Sequence, residues 1–351
     1  MVLKQQYHNQ PWYQWPEKYS ARNREALDLF QNEHADQIRM VKWWQYLFSQ
    51  PWNDLRPYCT DHGIRLLGDM PFYMNYDSVD VWAHPHFFAL DEQRNLSSIA
   101  GVPPDYFNDQ GQLWGMPVYR WGALRKVKYN WWIERLRHSC RLFDQVRLDH
   151  FRAFSAYWEV PAAEQTAKAG KWSAGPGIDF FDQLKAELGL MPFVAEDLGD
   201  IDAAVYALRD RYQLPGMKVL QFAFGDDMAR SPHIPHQYEN HCFAYTGTHD
   251  NNTTLSWYNQ EIDQQTRRRI DNYLGMSMDT SMINVSFIRM LYASIADTVI
   301  IPMQDLLGLD GSSRMNRPAS TAGNWLWRME KQAFHKKLKK KLRHYTQLYN
   351  R

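Results

Sequence analysis

Three short stretches of this 351-residue chain run through apolar or aromatic residues and stop on a carboxylate. They are VRLDHFRAF at 146–154, FVAEDLG at 193–199 and YTGTHDNNT at 245–253. Asp149, Glu196 and Asp250 therefore stand where a buried strand ends and a loop begins, the place from which barrel and open-sheet α/β enzymes work. Two carboxyl groups facing each other across a glycosidic bond are the minimum apparatus for its cleavage. One, protonated, donates to the leaving oxygen; the other, ionised, attacks or stabilises the oxocarbenium-like centre. The first gap between the three acids fits one β/α unit and the second fits two, which would put Asp149 and Glu196 on adjacent strands.

Arg147 precedes Asp149 by two residues, so both side chains leave the strand on one side. A guanidinium there keeps a carboxylate ionised, as a nucleophile requires. An Arg–Asp pair can also simply tie two strands together; three acidic strand ends in register favour a site. His249, beside Asp250, could donate to a sugar hydroxyl or be an ordinary hydrogen-bonded histidine at the mouth of a sheet. Asp69, in IRLLGDMPFYM (64–74), could contact substrate or cap its own turn. Metal ligation by the same carboxylates is the chemical competitor. The sequence carries no EF-hand loop, no HExxH and no Gly-rich phosphate loop, so neither metal nor cofactor is expected.

The elements that must position these residues show as alternating periodicities. Asp36 to Cys59 has helical spacing through Ile38, Val41, Trp44, Leu47 and Phe48, with Pro51 and Pro57 bracketing a shorter piece. Ile64–Leu67 reads as a buried strand with Asp69 at its carboxyl end. A long irregular stretch over 75–121 follows, of the kind that usually forms a lid or binding loop. Residues 131–143 read as a helix, after which strand and helix alternate. Strands are expected at FDQVRLDHF, MPFVAED, MKVLQFAF, NHCFAYTGTHD and DTVIIPMQDL, with helices between. With IRLLGD this makes six β/α units and so a parallel sheet flanked by helices; a closed (β/α)₈ barrel needs eight strands.

Lys plus Arg number 40 and Asp plus Glu 39, so overall charge gives no pull toward nucleic acid or anionic membrane. The basic C-terminal stretch, MEKQAFHKKLKKKLRHYTQLYNR, reads as an amphipathic helix with Phe334, Leu338, Leu342 and Tyr345 on one face. Fifteen Trp, 20 Tyr and 17 Phe offer flat surfaces on which sugar rings stack as well as core filling. Cys59, Cys140 and Cys242 are odd in number and widely spaced, which suits a reducing compartment. With no secretory signal pattern and no run long enough to span a bilayer, the expectation is a cytoplasmic protein.

The wording of several segments is more specific than their chemistry. GDMPFYM, SVDVWAHPHFF, AGVPPDYFNDQGQLWGMPVY, VRLDHFRAF, AEDLG, PGMKVLQFAF, YTGTHDNNTT and RMNRPASTAGNWLWR together resemble the amylomaltases, the 4-α-glucanotransferases or disproportionating enzymes, from about Trp12 to the C-terminus. The resemblance implies a TIM-type (β/α)₈ barrel and transfer of α-1,4-glucan segments between maltooligosaccharides by a retaining double displacement. It implies Asp149 as nucleophile, Glu196 as general acid and then base, and Asp250 as holder of sugar hydroxyls. Arg147 and His249 would support them, with Asp69, Tyr106, Trp114 and Asn324 as further substrate contacts. The loop 105–119 would lie over the site. An α-glucan hydrolase, or an inactive homologue that binds glucan, uses the same residues.

The match departs from the family pattern at Met116, where W-G-N-P is usual, and at Pro318-Ala319-Ser320 in place of P-G-T. It also implies two barrel strands before the first seen here. The expectation is thus one catalytic barrel over 1–351 reduced to strands three to eight, with a helical segment over 1–60 and an insertion over 75–121. A truncated reading of a longer gene, a separate chain supplying the missing strands, or closure of strand three on strand eight would each account for it.

Overall fold

The computed structural model describes residues 1–104, 108–318, 320 and 322–351. The chain divides into two compact units, Met1–Leu214 and Pro215–Arg351. Each mixes helix and strand. Among the described residues no helix is long and apolar enough to cross a membrane.

Among its described residues the first unit holds seven strands: β1 (Leu67–Met70), β2 (Ser98–Val102), β3 (Gln112–Pro117), β4 (Gln145–Leu148), β5 (Ala156–Pro161), β6 (Lys171–Ala174) and β7 (Phe193–Ala195). Three of them pair in parallel in the order β1-β4-β7. Their register sets Asp69 opposite Arg147, and Leu148 opposite Ala195. The residues that follow Leu148 and Ala195, Asp149 and Glu196, therefore leave the sheet side by side. Gly68 is required in β1, because a Cβ there would fall 2.2 Å from the Phe143 ring. Val146, Leu148, Phe193 and Ala195 are buried against Phe72, Trp132, Phe154, Phe180 and Phe181. Only β7 is apolar on both faces, as a strand covered on both sides can be, while β1 and β4 each carry a charged residue, Asp69 and Arg147.

The other four strands make an antiparallel sheet in the order β3-β2-β5-β6. It accounts for two stretches that the sequence reading leaves irregular. Within 75–121 the chain forms β2 and β3, and the GKWSAGPG loop supplies β6. In β2, Gly101 interrupts the apolar alternation where β3 passes close: a Cβ there would meet the Gln112 carbonyl at 2.3 Å.

Helix α1 (Arg24–Glu33) starts on Asn23, whose side chain accepts from the Ala26 N–H. The next helix, α2 (Ala35–Asp61), runs for 27 residues without a break at Pro51 or Pro57. This corrects the expected stop, and likewise the strand expected to begin at Ile64 begins at Leu67, with Asp69 inside it. A proline removes one N–H and crowds the carbonyl four residues back; on a helix this long that is a local cost that the remaining turns carry. Only Cys59 of α2 is buried. Trp43, Trp44, Phe48 and Tyr58 are each at least half exposed, Phe48 by 72%.

Helices α3 (Asn130–Leu142), α4 (Gly177–Leu188) and α5 (Ala203–Arg211) also belong to the first unit. α4 ends on Gly189 at φ +72°, a backbone conformation that glycine adopts without strain.

In the second unit β8 (Gly216–Val219), β9 (Cys242–Tyr245) and β10 (Thr298–Ile300) pair in parallel in the order β10-β9-β8. Helices α6 (Gln264–Leu274), α7 (Ile283–Tyr292) and the basic α8 (Lys336–Leu348) accompany them. Leu220, Phe224, Trp257, Ile283, Phe287 and Leu291 form the core. On α8, Leu338 and Tyr345 are buried, while Phe334 lies before the helix begins. The six strands read from sequence correspond to β1, β4, β7, β8, β9 and β10.

Candidate active site

Arg147 organises the carboxyl end of the first parallel sheet. Its Nη1 donates to both Asp69 oxygens, at 2.8 and 2.9 Å, and its Nη2 lies 2.9 Å from Asp149 Oδ1. Arg147 is 8% exposed, while the Asp69 and Asp149 side chains keep about two-fifths of their surface open. The cation is thus enclosed and the two anions face outward. Burial works against the guanidinium charge, but Asp149, then Asp69 and Glu196, outweigh it and hold Arg147 protonated beyond its ordinary range. One buried cation clamps a nucleophile candidate to a neighbouring carboxylate.

Glu196 is treated in the opposite way. Burial, and then the Asp149 charge, push its carboxyl up to about 8, against the lowering effects of Arg147 and of two backbone N–H groups. Those are His150 N to Oε2 at 2.6 Å and Leu198 N to Oε1 at 3.1 Å. Main-chain bonds lock the same corner: Glu196 N donates to the Leu148 carbonyl, and Phe151 N to the Glu196 carbonyl, each at 3.1 Å. The next residue, Asp197, is another acid but has another fate. It is 6% exposed and paired with Arg209 Nη1 at 2.7 Å. Of two adjacent acids in AEDLG, the structure keeps the first protonated beside Asp149 and spends the second on an internal ion pair. At this corner Glu196 is raised by burial while Asp149 is held against a guanidinium, an arrangement in which one carboxyl can carry a proton and the other a charge.

His150 has φ 49° and ψ 49°, in the left-handed region. Its ring lies 4.9 Å, edge-on, from Trp114 and 6.0 Å from Tyr73. Trp114, expected to touch substrate, is thereby brought against the corner that carries Asp149 and Glu196. Tyr106 lies outside the described residues.

In the second unit Asp250 sits in the loop after β9. Asn316 Nδ2 donates to Asp250 Oδ1 at 2.6 Å, and Arg314 Nη2 to the Asp250 carbonyl at 2.6 Å. His249 Nε2 stands 3.5 Å from Asp250 Oδ2, and its ring lies 5.2 Å from that of Trp325. Beneath this loop Asp305, 2% exposed, accepts from Thr254 N at 2.7 Å and from the Thr246 and Thr254 hydroxyls. Asn324 holds its own turn: its Oδ1 accepts from Arg317 N at 2.9 Å and its Nδ2 donates to the Ser320 carbonyl at 3.0 Å.

Asn316, Arg314, Asp305 and the His150 N–H are absent from the sequence reading. Asp305 was within reach, since it follows the last strand as Asp250 follows β9. A backbone N–H has no signal in a sequence.

A model of the 4-alpha-glucanotransferase family matches residues 1–334. The chain belongs to that family. The 4-alpha-glucanotransferases of Streptococcus pneumoniae TIGR4 and of Synechocystis are each 42% identical to it; both alignments cover all of this chain, with 69% and 70% of the relative. The chloroplastic/amyloplastic enzyme of Arabidopsis thaliana is 41% identical over 91% of this chain and 55% of its own. The amylomaltase of Streptococcus agalactiae, solved in complex with acarbose, superposes with a TM-score of 0.95 at 38% identity, covering all of this chain and 71% of that one. The Corynebacterium glutamicum amylomaltase, at 18% identity and a TM-score of 0.64, shares the fold over 81% of this chain and 45% of its own. Family membership and a mixed α/β amylomaltase-type fold are therefore established for this chain.

Proposed function

We propose that this chain is a 4-α-glucanotransferase that moves α-1,4-glucan segments between maltooligosaccharides with retention, through a covalent intermediate. The observation that carries the reading is the contrast at one corner: Asp149 is clamped by Arg147 while Glu196 is raised to about 8. At neutral pH this gives an ionised carboxylate beside a protonated one.

In the first step an Asp149 oxygen forms a bond to the anomeric carbon as the bond from that carbon to the leaving O4 breaks. The Glu196 proton goes to O4. In the second step the 4-hydroxyl of an acceptor glucan attacks the same carbon and the bond to Asp149 breaks. Glu196, now a carboxylate, takes the hydroxyl proton and is restored. Asp69 and Asp250 carry carboxylate oxygens suited to accept from sugar hydroxyls, and His249 and Trp114 supply a donor and an aromatic face. The role of Asp250 rests on the family resemblance and on the open carboxylate beside Asn316. No cofactor enters either step.

Incubation with maltotriose tests the reading. Glucose and longer oligosaccharides at a constant number of reducing ends are expected; a rising number marks a hydrolase, and no change marks an inactive homologue.

The six parallel strands read as strands three to eight of a (β/α)₈ barrel. β1 is an edge of its sheet among the described residues, and α2 presents bare aromatics. Both features support a further polypeptide, in this chain or a separate one, that pairs with β1 and covers α2. Among the described residues no two cysteines are joined in a disulfide, and Cys59 and Cys242 are buried, which supports a reducing compartment such as the cytoplasm.

A further inference from the structure

We propose that His150 is a positioning residue that couples the hairpin bearing Trp114 to the acid/base carboxylate of Glu196. This rests on the reading of Glu196 as acid and base.

The corner of residues 149–151 grips Glu196 twice. His150 N donates to its side chain at 2.6 Å and Phe151 N to its carbonyl at 3.1 Å. The first of these bonds requires His150 to keep its left-handed backbone, at φ 49°. A residue with a Cβ holds that conformation against a steric cost that glycine does not meet. What holds it here is the imidazole ring, set edge-on to Trp114 at 4.9 Å, with Tyr73 at 6.0 Å and Phe72 at 6.4 Å.

Phe72 and Tyr73 follow β1 directly, and Trp114 lies in β3. The ring is therefore wedged between a rigid strand end and the antiparallel sheet that flanks the loop expected to close the site. Burial, and then the Arg152 guanidinium, lower the His150 imidazole to about 4, so the wedge is neutral at working pH and acts by packing. The charged groups that bear on Glu196 are Asp149 and Arg147, with the His150 and Leu198 N–H groups as its donors. A sugar ring that shifts Trp114 thus reaches the Glu196 proton through His150, without touching either carboxylate.

The test compares His150→Gly, His150→Asn, Trp114→Ala and Glu196→Gln, using the pH profile of kcat/KM for maltotriose disproportionation. His150→Gly keeps the N–H and permits the left-handed backbone, but removes the ring that holds it there. It should lower kcat roughly tenfold with KM changed less than about twofold. It should also move the alkaline limb to higher pH, since a loosened N–H no longer lowers Glu196. Trp114→Ala should move the limb the same way, and the double variant should add nothing further. His150→Asn, tolerant of the left-handed region and still bulky, should fall between His150→Gly and wild type.

An unmoved limb in both His150 variants, with only a lower melting temperature, overturns the coupling. So does a fully additive double variant. Activity surviving in Glu196→Gln would instead remove the acid/base reading beneath it. An inactive Glu196→Gln together with an unmoved limb in the His150 variants removes the coupling alone.

Discussion

The end of the first parallel sheet and the helix α2 belong to the same unit and follow opposite rules. At the sheet end, each charge is matched within a few ångströms: Arg147 with Asp69 and Asp149, Arg209 with Asp197, the Glu196 oxygens with two N–H groups. On α2 the large apolar side chains have no such match, and Trp43, Trp44, Tyr46 and Phe48 stand at least half open. Unmatched charge is expensive inside a protein, and unmatched apolar surface is expensive outside one. The first region is therefore finished as it stands. The second is a surface shaped for another surface.

The contrast is broken most severely by removing the nucleophile candidate. Asp149→Asn should reduce transfer from maltotriose by on the order of 10⁴–10⁶-fold. A variant within tenfold of wild type would show that the matched charges serve the fold alone.

Glu196→Gln should cost about 10²–10⁴-fold in rate, and its effect on stability has a sign that can be worked out. The folded carboxyl is raised to about 8 from its ordinary value of 4.5. The folded state therefore binds more protons than the unfolded state between those values, and wild-type stability falls as pH rises through that window. The glutamine variant does not titrate. It should melt higher than wild type above pH 8, with the difference shrinking toward pH 4; a difference independent of pH would contradict the raised carboxyl. The alkaline limb of activity in the wild type should lie near the same value.

Arg147→Met leaves Asp69 and Asp149 facing each other without their cation. Since both keep part of their surface in water, about 1–3 kcal/mol of stability should be lost, between the values for exposed and buried pairs. Chemical denaturation measures it.

The smallest effect belongs to α2. Replacing Trp43 and Phe48 by Lys should change the stability of this chain by about 0.5 kcal/mol or less. The same replacement should abolish a blue shift in tryptophan emission when a polypeptide equivalent to the unmatched part of the Streptococcus pneumoniae relative is added. If the wild-type emission does not respond to that polypeptide, α2 is not its seat.

The parallel strands were legible because each pairs a short apolar run with an abrupt polar stop, a pattern that depends only on neighbours in the chain. The acids at β4 and β7 were legible for the same reason, and the pairing of Leu148 with Ala195 places them together. What could not be read came from distant partners. β2 and β3 hold each other through backbone contact at Gly101, and β6 takes its place from β5. The donors to Glu196 are main-chain groups whose direction depends on a left-handed residue. The unbroken α2 was hidden for another reason: two prolines are a local signal to stop, and length overrode them.

The adjacent acids Glu196 and Asp197 carry a consequence for assembly. In a parallel pair, a slip of one residue exchanges the two faces of a strand. Here a slip of β7 would present Asp197 where Glu196 belongs, one carboxylate for another, and the site would look correct in charge while being wrong in reach. Arg209 excludes that error. By holding Asp197 in a buried pair it makes the misaligned strand strand a cation as well as misplace an acid. The ion pair thus acts as a register mark, and distinguishes two like residues by burial rather than by charge.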